Sequence, residues 1–181
     1  MIKQARAFDA CLARIPWGWT ALIASQKGLA FSLLPVGSQA AALARLTKEL
    51  GGDQPSRASL KPSSPLLRQV LQQYAEYLRG ERTSFDFPFD LSRGTPFQQK
   101  AWRAARRIPY GKTHSYLQVA ARAGFPRASR AVGSAMAANP LAPFIPCHRV
   151  LRGNGGLGGF GGGLSLKRRL LHLENGEFPL K

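Results

Sequence analysis

The chain has 181 residues, of which 44% are hydrophobic and 19% charged, enough for one compact domain or two small ones. No apolar run approaches the ~20 residues that cross a bilayer, and the N-terminal residues lack the apolar segment and cleavage site of a secretory signal. The two cysteines, Cys11 and Cys147, exclude a disulfide framework, and no CxxC or histidine-rich spacing predicts a metal site. We therefore expect a cytoplasmic protein.

The net charge of +17 is distributed unevenly along the chain. Residues 1–90 carry 11 Lys and Arg against 7 Asp and Glu, whereas residues 91–181 carry 15 against 2. A basic half favours a polyanionic partner, most simply nucleic acid, because phosphates attract Lys and Arg whatever the base sequence. A proteome-wide preference for arginine would give the same charge, so charge alone does not decide. A membrane surface is disfavoured because the basic residues do not form one helical face.

The first half of the sequence predicts a small α/β domain. Short apolar runs on either side of a Gln-Lys-Gly turn predict a β-hairpin, and two stretches with helical patterning predict helices. A polar stretch rich in Gly, Pro and Ser predicts a loop, and an alternating run with a proline predicts a short edge strand. The hairpin is predicted at 19–25 and 29–34, the two helices at 39–50 and 65–79, the loop at 51–64 and the edge strand at 85–89.

The second half predicts a mostly helical domain, so the whole chain is expected to be α/β, of the α+β type. Two of its helices begin with a capping box, in which Thr or Ser is followed three residues later by Gln. A short Gly-containing turn separates the second helix from a third that must end before Pro140, an arrangement typical of a helix-turn-helix. The last helix is expected to turn Leu166, Leu170 and Leu173 to one side. The four predicted helices cover 95–107, 115–123, 127–137 and 164–174.

Cys147 lies between a proline and a histidine in the stretch IPCHRV, residues 145–150. Cationic neighbours lower the pKa of a thiol, so His148 and Arg149 favour a reactive cysteine. A buried structural cysteine at the end of a strand is the alternative. A nucleophile needs a base and an orienting group, for which His148 and Glu174 are candidates. A carboxylate near a helix C-terminus is unfavourable and suggests a specific partner, although a solvated helix end explains Glu174 equally well.

Small residues dominate the third helix of the second half, where Gly133 costs about 1 kcal/mol relative to alanine. Such a helix can press against another helix or against a narrow DNA groove. In the groove, Arg130 would be the one long side chain able to enter the base stack. The glycine-rich run 153–163 lacks the Gly-Lys-Ser/Thr ending of a phosphate-binding loop. It predicts either a loop close to a ligand, with Leu157 and Phe160 as walls, or a flexible surface loop.

Taken together, these motifs resemble the O6-alkylguanine-DNA alkyltransferase family. The resemblance covers residues 85–175, and the N-terminal part matches more loosely. It rests on PCHRV, TPFQQKAW, IPYGKTHSY, RAVGSAM, Asn139-Pro140 and the glycine loop before LSLKRRLL, in the family's order. The resemblance implies direct DNA repair, in which the protein binds the minor groove through a helix-turn-helix and flips an O6-alkylated guanine. The alkyl group then passes irreversibly to Cys147, once per molecule and without a cofactor.

The resemblance also implies the roles of individual residues. The expected catalytic residues are the nucleophile Cys147, its water-linked base His148, the orienting Glu174, the hinge residue Asn139, and Tyr116, which assists the departing guanine. The expected substrate-binding residues are Tyr116, Val150, Leu157, Phe160 and Gly161. The expected DNA-binding residues are Arg130, Ser129, Ala131 and Gly133. Phe160 stands where the family commonly has tyrosine and Ala142 where it commonly has proline, which leaves the range of accepted alkyl groups open.

The same resemblance implies two domains, a ribonuclease-H-like structural domain at 1–90 and a DNA-binding and alkyl-transfer domain at 91–181. The expected partner is double-stranded DNA carrying O6-alkylguanine, with no membrane and no metal, and the expected state is a monomer, with cooperative DNA binding left open. Two other functions stay open on the residues. One is a non-catalytic binder of alkylated DNA, although relatives of that kind lack the cysteine. The other is a cysteine hydrolase using Cys147, His148 and Glu174, which leaves the basic half unexplained.

Overall fold

The computed structural model describes residues 8–52 and 61–176, and the fold is mixed α/β, as the sequence predicts. The chain divides into two compact units, Met1–Leu91 and Ser92–Lys181. Most of the loop predicted at 51–64 lies outside the described residues. No helix in the described part of the chain is long and apolar enough to cross a membrane.

The first unit is built on a three-stranded antiparallel sheet in the order β1-β2-β3. Its strands are β1 (Asp9–Ile15), β2 (Gly18–Ser25) and β3 (Gly28–Ser32). The hairpin of β2 and β3 forms where the two apolar runs predict it. Strand β1 is absent from the prediction, although its sequence DACLARI pairs with β2 along its whole length. Seven residues are too few for their alternation to stand out from a loop.

Helices α1 (Gln39–Glu49) and α2 (Pro65–Leu78) pack against this sheet and lie where the sequence predicts them. The side chains of Ser38 and Ser64 cap the two N-termini by accepting backbone hydrogen bonds. Helix α2 contributes the fully buried Tyr74 and Tyr77. The apolar cluster that α1 shares with the sheet consists of Leu12, Ala21, Ile23, Phe31, Leu33, Ala42 and Leu46.

The strand predicted at 85–89 does not form. The segment makes one isolated bridge, in which the Leu29 N–H donates to the Pro88 carbonyl at 2.9 Å and the Asp90 N–H donates to the Leu29 carbonyl at 2.8 Å. Pro88 has no N–H with which to extend the ladder. The alternate phenylalanines of the segment contact one another instead, with successive ring centroids 5.9 and 5.3 Å apart.

The second unit begins with three helices that contact one another, α3 (Pro96–Arg106), α4 (Tyr116–Arg122) and α5 (Ser129–Ala137). Both predicted capping boxes are present. Thr95 and Gln98 close the N-terminus of α3, and Ser115 and Gln118 close that of α4. These ends are therefore set by local sequence.

Helix α5 begins at Ser129, two residues later than predicted, because the residues before it form a turn. The Ala128 N–H donates to the Phe125 carbonyl at 2.9 Å and closes that turn. A buried hydrogen bond of 2.8 Å from the Trp102 indole N–H to the Ala135 carbonyl fixes α5 to α3. Helices α4 and α5 contact each other across the turn, and their use as a DNA-binding helix-turn-helix stays a prediction.

Cys147 opens a 3₁₀ helix, Cys147–Arg149, that leads into strand β5 (Val150–Leu151). Strand β5 pairs in parallel with β4 (His114–Ser115), which directly precedes α4. Cys147 therefore does not lie at the end of a strand. The short β4–β5 pair brings the start of α4 beside the segment that follows the cysteine.

Helix α6 (Leu164–Asn175) closes at Gly176 and buries a different face from the one predicted. Of the three leucines expected on its inner side, only Leu170 is buried, and Leu166 and Leu173 are half-buried. The buried positions recur at i, i+3, i+4 and i+7, and they are Lys167, Leu170, Leu171 and Glu174. The prediction used apolar residues alone and therefore missed the buried face, because two of its four positions, Lys167 and Glu174, are charged.

Candidate active site

Cys147 is 6% exposed and is held by Asn139, which lies two residues beyond α5. The Asn139 side-chain amide donates to Cys147 Sγ at 3.1 Å and to the Ile145 carbonyl at 2.9 Å. Its amide oxygen accepts from the Leu141 N–H at 3.0 Å. Asn139 therefore links the end of α5 to the loop that carries the thiol.

His148 and Glu174 form a buried pair, with His148 Nε2 2.8 Å from Glu174 Oε1. An ionised carboxylate only accepts hydrogen bonds, so Nε2 carries the proton and Nδ1 is the basic nitrogen of the ring. Glu174 is 8% exposed, which rules out a solvated helix end. The pairing relieves the unfavourable position of a carboxylate near the C-terminus of α6.

Arg149 holds the same carboxylate from a second direction. Its Nε donates to Glu174 Oε2 at 2.8 Å, and its Nη2 donates to Oε1 at 2.9 Å. The Gly111 N–H donates to Oε2 at 3.2 Å. Glu174 thus joins the 3₁₀ helix, α6 and the turn before β4. The sequence does not predict the contact between Arg149 and Glu174, because it identifies Arg149 only as a cation next to Cys147.

Burial and fixed charge set the protonation states of this cluster. Burial acts to raise the pKa of Glu174, but hydrogen bonds and charge from His148 and Arg149 outweigh it and lower the pKa from 4.5 to about 2. Burial lowers the pKa of His148 below 6.5, against the opposing effect of Glu174. Burial raises the pKa of the Cys147 thiol, although the charge of Lys167 acts to lower it. Near neutral pH the resting cluster therefore holds a thiol, a neutral imidazole and a carboxylate.

Lys167 is a fully buried cation that the sequence analysis misses. Its Nζ donates to the Val150 carbonyl at 2.7 Å and also to the Leu157 carbonyl. Burial lowers its pKa to about 8, partly opposed by Cys147. The burial of Lys167 could have been predicted from the sequence, because helical spacing puts Lys167 on the same face of α6 as Leu170. Lys167 ties strand β5 to the glycine-rich loop.

Tyr116, the first residue of α4, lines an open cavity of about 470 Å³ next to α5 and the glycine-rich loop. Gly158 has φ of 65°, and a Cβ on it would lie 2.6 Å from the Tyr116 hydroxyl oxygen, so this close approach requires glycine. Burial raises the pKa of Tyr116, as does the nearby Cys147, so its hydroxyl stays protonated near neutral pH. The cavity is lined by Tyr116, Leu117, Ser129, Arg130, Gly133, Arg152, Gly153, Gly158 and Gly159.

The cavity brings together some of the predicted site residues and not others. The four that line it are Tyr116, Ser129, Arg130 and Gly133. Nine predicted site residues do not line it. They are the catalytic candidates Asn139, Cys147, His148 and Glu174, the exposed Ala131 on α5, and the expected pocket residues Val150, Leu157, Phe160 and Gly161. The Val150 and Leu157 carbonyls face Lys167, and the Phe160 ring lies edge-on to His148 with centroids 6.5 Å apart.

Two residues that line the cavity, Leu117 and Arg152, are missing from the sequence prediction. Leu117, the second residue of α4, is a large hydrophobic side chain that is 58% exposed. Among the described residues, no group of three or more His, Cys, Asp and Glu side chains is arranged to hold a metal ion. The site therefore consists of a buried thiol–imidazole–carboxylate cluster beside an open, arginine-lined cavity.

Comparison with known proteins places this geometry among DNA alkyltransferases. Residues 96–176 match the family model for the DNA-binding domain of 6-O-methylguanine DNA methyltransferase. The chain is 46% identical over 126 residues to a methylated-DNA–protein-cysteine methyltransferase of Mycobacterium bovis, covering 70% of this chain and 76% of that one. It is 47% identical over 119 residues to the constitutive methylated-DNA–protein-cysteine methyltransferase of Bacillus subtilis, covering 65% and 72%.

A solved structure shows the same likeness over nearly the whole chain. The crystal structure of Mycobacterium tuberculosis OGT in complex with DNA superposes with a TM-score of 0.72 at 37% identity, covering 92% of each chain. The similarity therefore extends beyond the matched domain into the first unit.

Proposed function

The chain belongs to the methylated-DNA–protein-cysteine methyltransferase family, and we propose that Cys147 is the residue onto which it transfers the alkyl group. The protein is a DNA-repair enzyme that acts by direct alkyl transfer, and its partner is damaged DNA. One observation carries the assignment to Cys147, namely that Asn139 holds its sulfur beside the buried His148–Glu174 pair. Burial raises the pKa of both thiols, that of Cys11 in the other unit to about 12, but the charge of Asp9 raises the pKa of Cys11 further, whereas the Asn139 hydrogen bond and the charge of Lys167 act to lower that of Cys147.

We propose the following transfer step, which these positions support. Cys147 Sγ attacks the alkyl carbon, a bond between sulfur and carbon forms, and the bond from that carbon to guanine O6 breaks. The thiol proton passes through a water to Nδ1 of His148, while Nε2–H stays on Glu174. The Tyr116 hydroxyl gives a proton to the leaving guanine and is reprotonated from solvent, to which His148 returns its own proton. The products are neutral guanine and a thioether, and a thioether is not hydrolysed, so each molecule acts once.

We place duplex DNA against α5, with α4 and α5 as the helix-turn-helix and the minor groove as the docking surface. Arg130 is exposed at the cavity mouth, where it can fill the space left by a flipped base. Ser129 and Gly133, one turn apart, give α5 a face of small residues beside Arg130, while Ala131 is exposed on another side of the helix. The cavity joins this face to Tyr116, so a base that leaves the stack beside Arg130 enters next to the proposed proton donor.

The remaining residues are assigned to the walls that hold the base. The Val150 and Leu157 carbonyls accept hydrogen bonds from Lys167, and the Phe160 ring lies beside His148. Gly161 leaves room at the exposed end of the loop. We further propose that residues 1–90 support the fold, that the protein acts as a monomer, and that it works in the cytoplasm, where a free thiol stays reduced.

Titrating the number of lesions removed per protein molecule tests this function. With excess duplex carrying O6-methylguanine, we expect one lesion removed per molecule and then no further reaction. The Cys11→Ser variant should match the unchanged protein, and Cys147→Ser should remove none. Continued turnover would instead indicate a hydrolase. Retained binding of alkylated DNA without any lesion removal would indicate a non-catalytic binder, the alternative function.

A further inference from the structure

We propose that Arg149 is a positioning residue for the transfer reaction. It shares the Glu174 carboxylate with His148, so that His148 is a neutral base at rest. The proposal rests on the assignment of His148 as the base for Cys147. Arg149 touches neither the thiol nor the cavity and acts through Glu174. With Arg149 included, the cluster contains a thiol, an imidazole, a carboxylate and a guanidinium. The charges of the carboxylate and the guanidinium balance before the reaction begins.

The guanidinium of Arg149 is fixed on all sides. Two of its nitrogens donate to the two oxygens of Glu174, at 2.8 and 2.9 Å. The third, Nη1, donates to the Ile108 carbonyl at 2.6 Å, and the group lies 5.7 Å from the centroid of the Tyr110 ring. The residue is 6% exposed. Because all three of its nitrogens donate to buried acceptors, Arg149 is held against Glu174.

The charge of the cluster depends on this contact. Glu174 carries one negative charge and has two candidate cationic partners, Arg149 and His148. Arginine is always protonated, so the Arg149–Glu174 pair is already neutral and a protonated His148 would add an uncompensated buried charge. Without Arg149, the isolated carboxylate would favour a protonated imidazole, which cannot accept the thiol proton. Arg149 therefore adds to burial in keeping the base unprotonated at rest.

The groups that face His148 agree with this assignment. From α6 they are Glu174, which raises its pKa, and Lys167, which lowers it; from its own segment, Arg149 also lowers it. Burial is the largest effect and acts in the same direction as the two cations. The cationic state of His148 is thus reached only in the reaction, when the proton arrives from Cys147.

The test measures the rate of Cys147 alkylation by free O6-benzylguanine as a function of pH, which avoids any effect on DNA binding. In Arg149→Met, we expect the acid limb of the profile to move up by about one pH unit, because a nearby charge shifts a pKa by that much or more. Arg149→Lys keeps the charge, so its midpoint should stay near that of the unchanged protein while its rate falls. Arg168→Met, an exposed arginine of α6, is the matched control and should change neither.

A uniform loss of rate in Arg149→Met with an unmoved midpoint would overturn the proposal and leave a purely structural role. If that variant does not fold, nitrogen NMR of the unchanged protein can still overturn the proposal, because a protonated His148 ring near pH 7 contradicts it, and the unmoved midpoint expected in Arg149→Lys remains the positive test. Failure of the underlying function gives a different result. In that case His148→Gln would react with the rate and pH profile of the unchanged protein.

Discussion

Two cations near the proposed nucleophile Cys147 are buried, Arg149 in the 3₁₀ helix that begins at Cys147 and Lys167 in α6. A buried charge is costly unless hydrogen bonds and opposite charge compensate it, and apolar side chains in the same places would often be more stable. Both cations are compensated, one by a carboxylate and one by two backbone carbonyls. We infer that the site retains them for the reaction at Cys147 rather than for the stability of the fold.

Replacing Lys167 by methionine should destabilise the protein and slow alkyl transfer to both DNA and a free base. The substitution leaves the Val150 and Leu157 carbonyls without their ammonium donor, at a cost of about 1–3 kcal/mol for each buried group. Urea unfolding and the rate with O6-benzylguanine measure the two effects. Lys112→Met, at an exposed lysine, is the control. Unchanged stability and rate in Lys167→Met would show that the contacts to Lys167 are dispensable.

Replacing Arg130 by alanine should slow transfer from duplex DNA far more than transfer from free O6-benzylguanine. Arg130 lines the open cavity and its proposed role is to occupy the gap in the base stack, which a free base does not require. A loss of about 1–3 kcal/mol, or about tenfold to a hundredfold in rate, is expected on DNA. Arg168→Ala removes the same charge away from the cavity. Equal slowing on both substrates would remove the intercalating role.

At the scale of elements, the starts of α3 and α4 were predictable, whereas the start of α5 and the contacts between elements were not. Capping boxes at Thr95 and Ser115 act within one turn of chain, so local sequence sets the starts of α3 and α4. The inner face of α6 depends on carbonyls and a carboxylate supplied by distant segments. Every residue has a carbonyl, so no sequence pattern shows that the Val150 and Leu157 carbonyls are the ones that accept hydrogen bonds from Lys167.

Gly158 in the glycine-rich loop gives an element-scale prediction. Gly158→Ala should displace the Tyr116 ring, because the new Cβ would lie 2.6 Å from its hydroxyl oxygen. We expect transfer to slow on DNA and on free base alike, since the proposed proton donor Tyr116 moves in both. Gly155→Ala is the matched control, because Gly155 also has positive φ but has nothing within 4 Å of an added Cβ. If the two variants behave alike, backbone strain rather than Tyr116 explains the effect.

At the scale of the whole molecule, the excess of basic residues lies in the unit that carries the site. Residues 91–181 hold 15 of the 26 Lys and Arg but only 2 of the 9 Asp and Glu. The sequence predicted the mixed α/β fold and the pairing of His148 with Glu174, which lie 2.8 Å apart. The role of this pair beside Cys147 stays a prediction. The sequence could not predict the cavity, whose lining comes from α4, α5 and the loop after β5.

The pH dependence of stability follows from the buried carboxylate. The pKa of Glu174 falls from 4.5 to about 2 on folding, so its stabilising contribution is complete above the unfolded value and is lost as pH falls toward the folded one. The contribution is on the order of 3 kcal/mol. Glu174→Gln should therefore unfold with a weaker dependence on pH than the unchanged protein between about pH 5 and pH 3 in urea titrations. Parallel curves would contradict the assignment of Glu174 as a buried anion.

The most direct measurement is the mass of the intact protein after incubation with a duplex carrying O6-methylguanine, followed by mapping of the modified peptide. We expect a single gain in mass of one CH2 unit, located on Cys147 and absent from Cys147→Ala. Unmodified protein after the lesion has been removed, or an adduct on Cys11, would contradict transfer to Cys147.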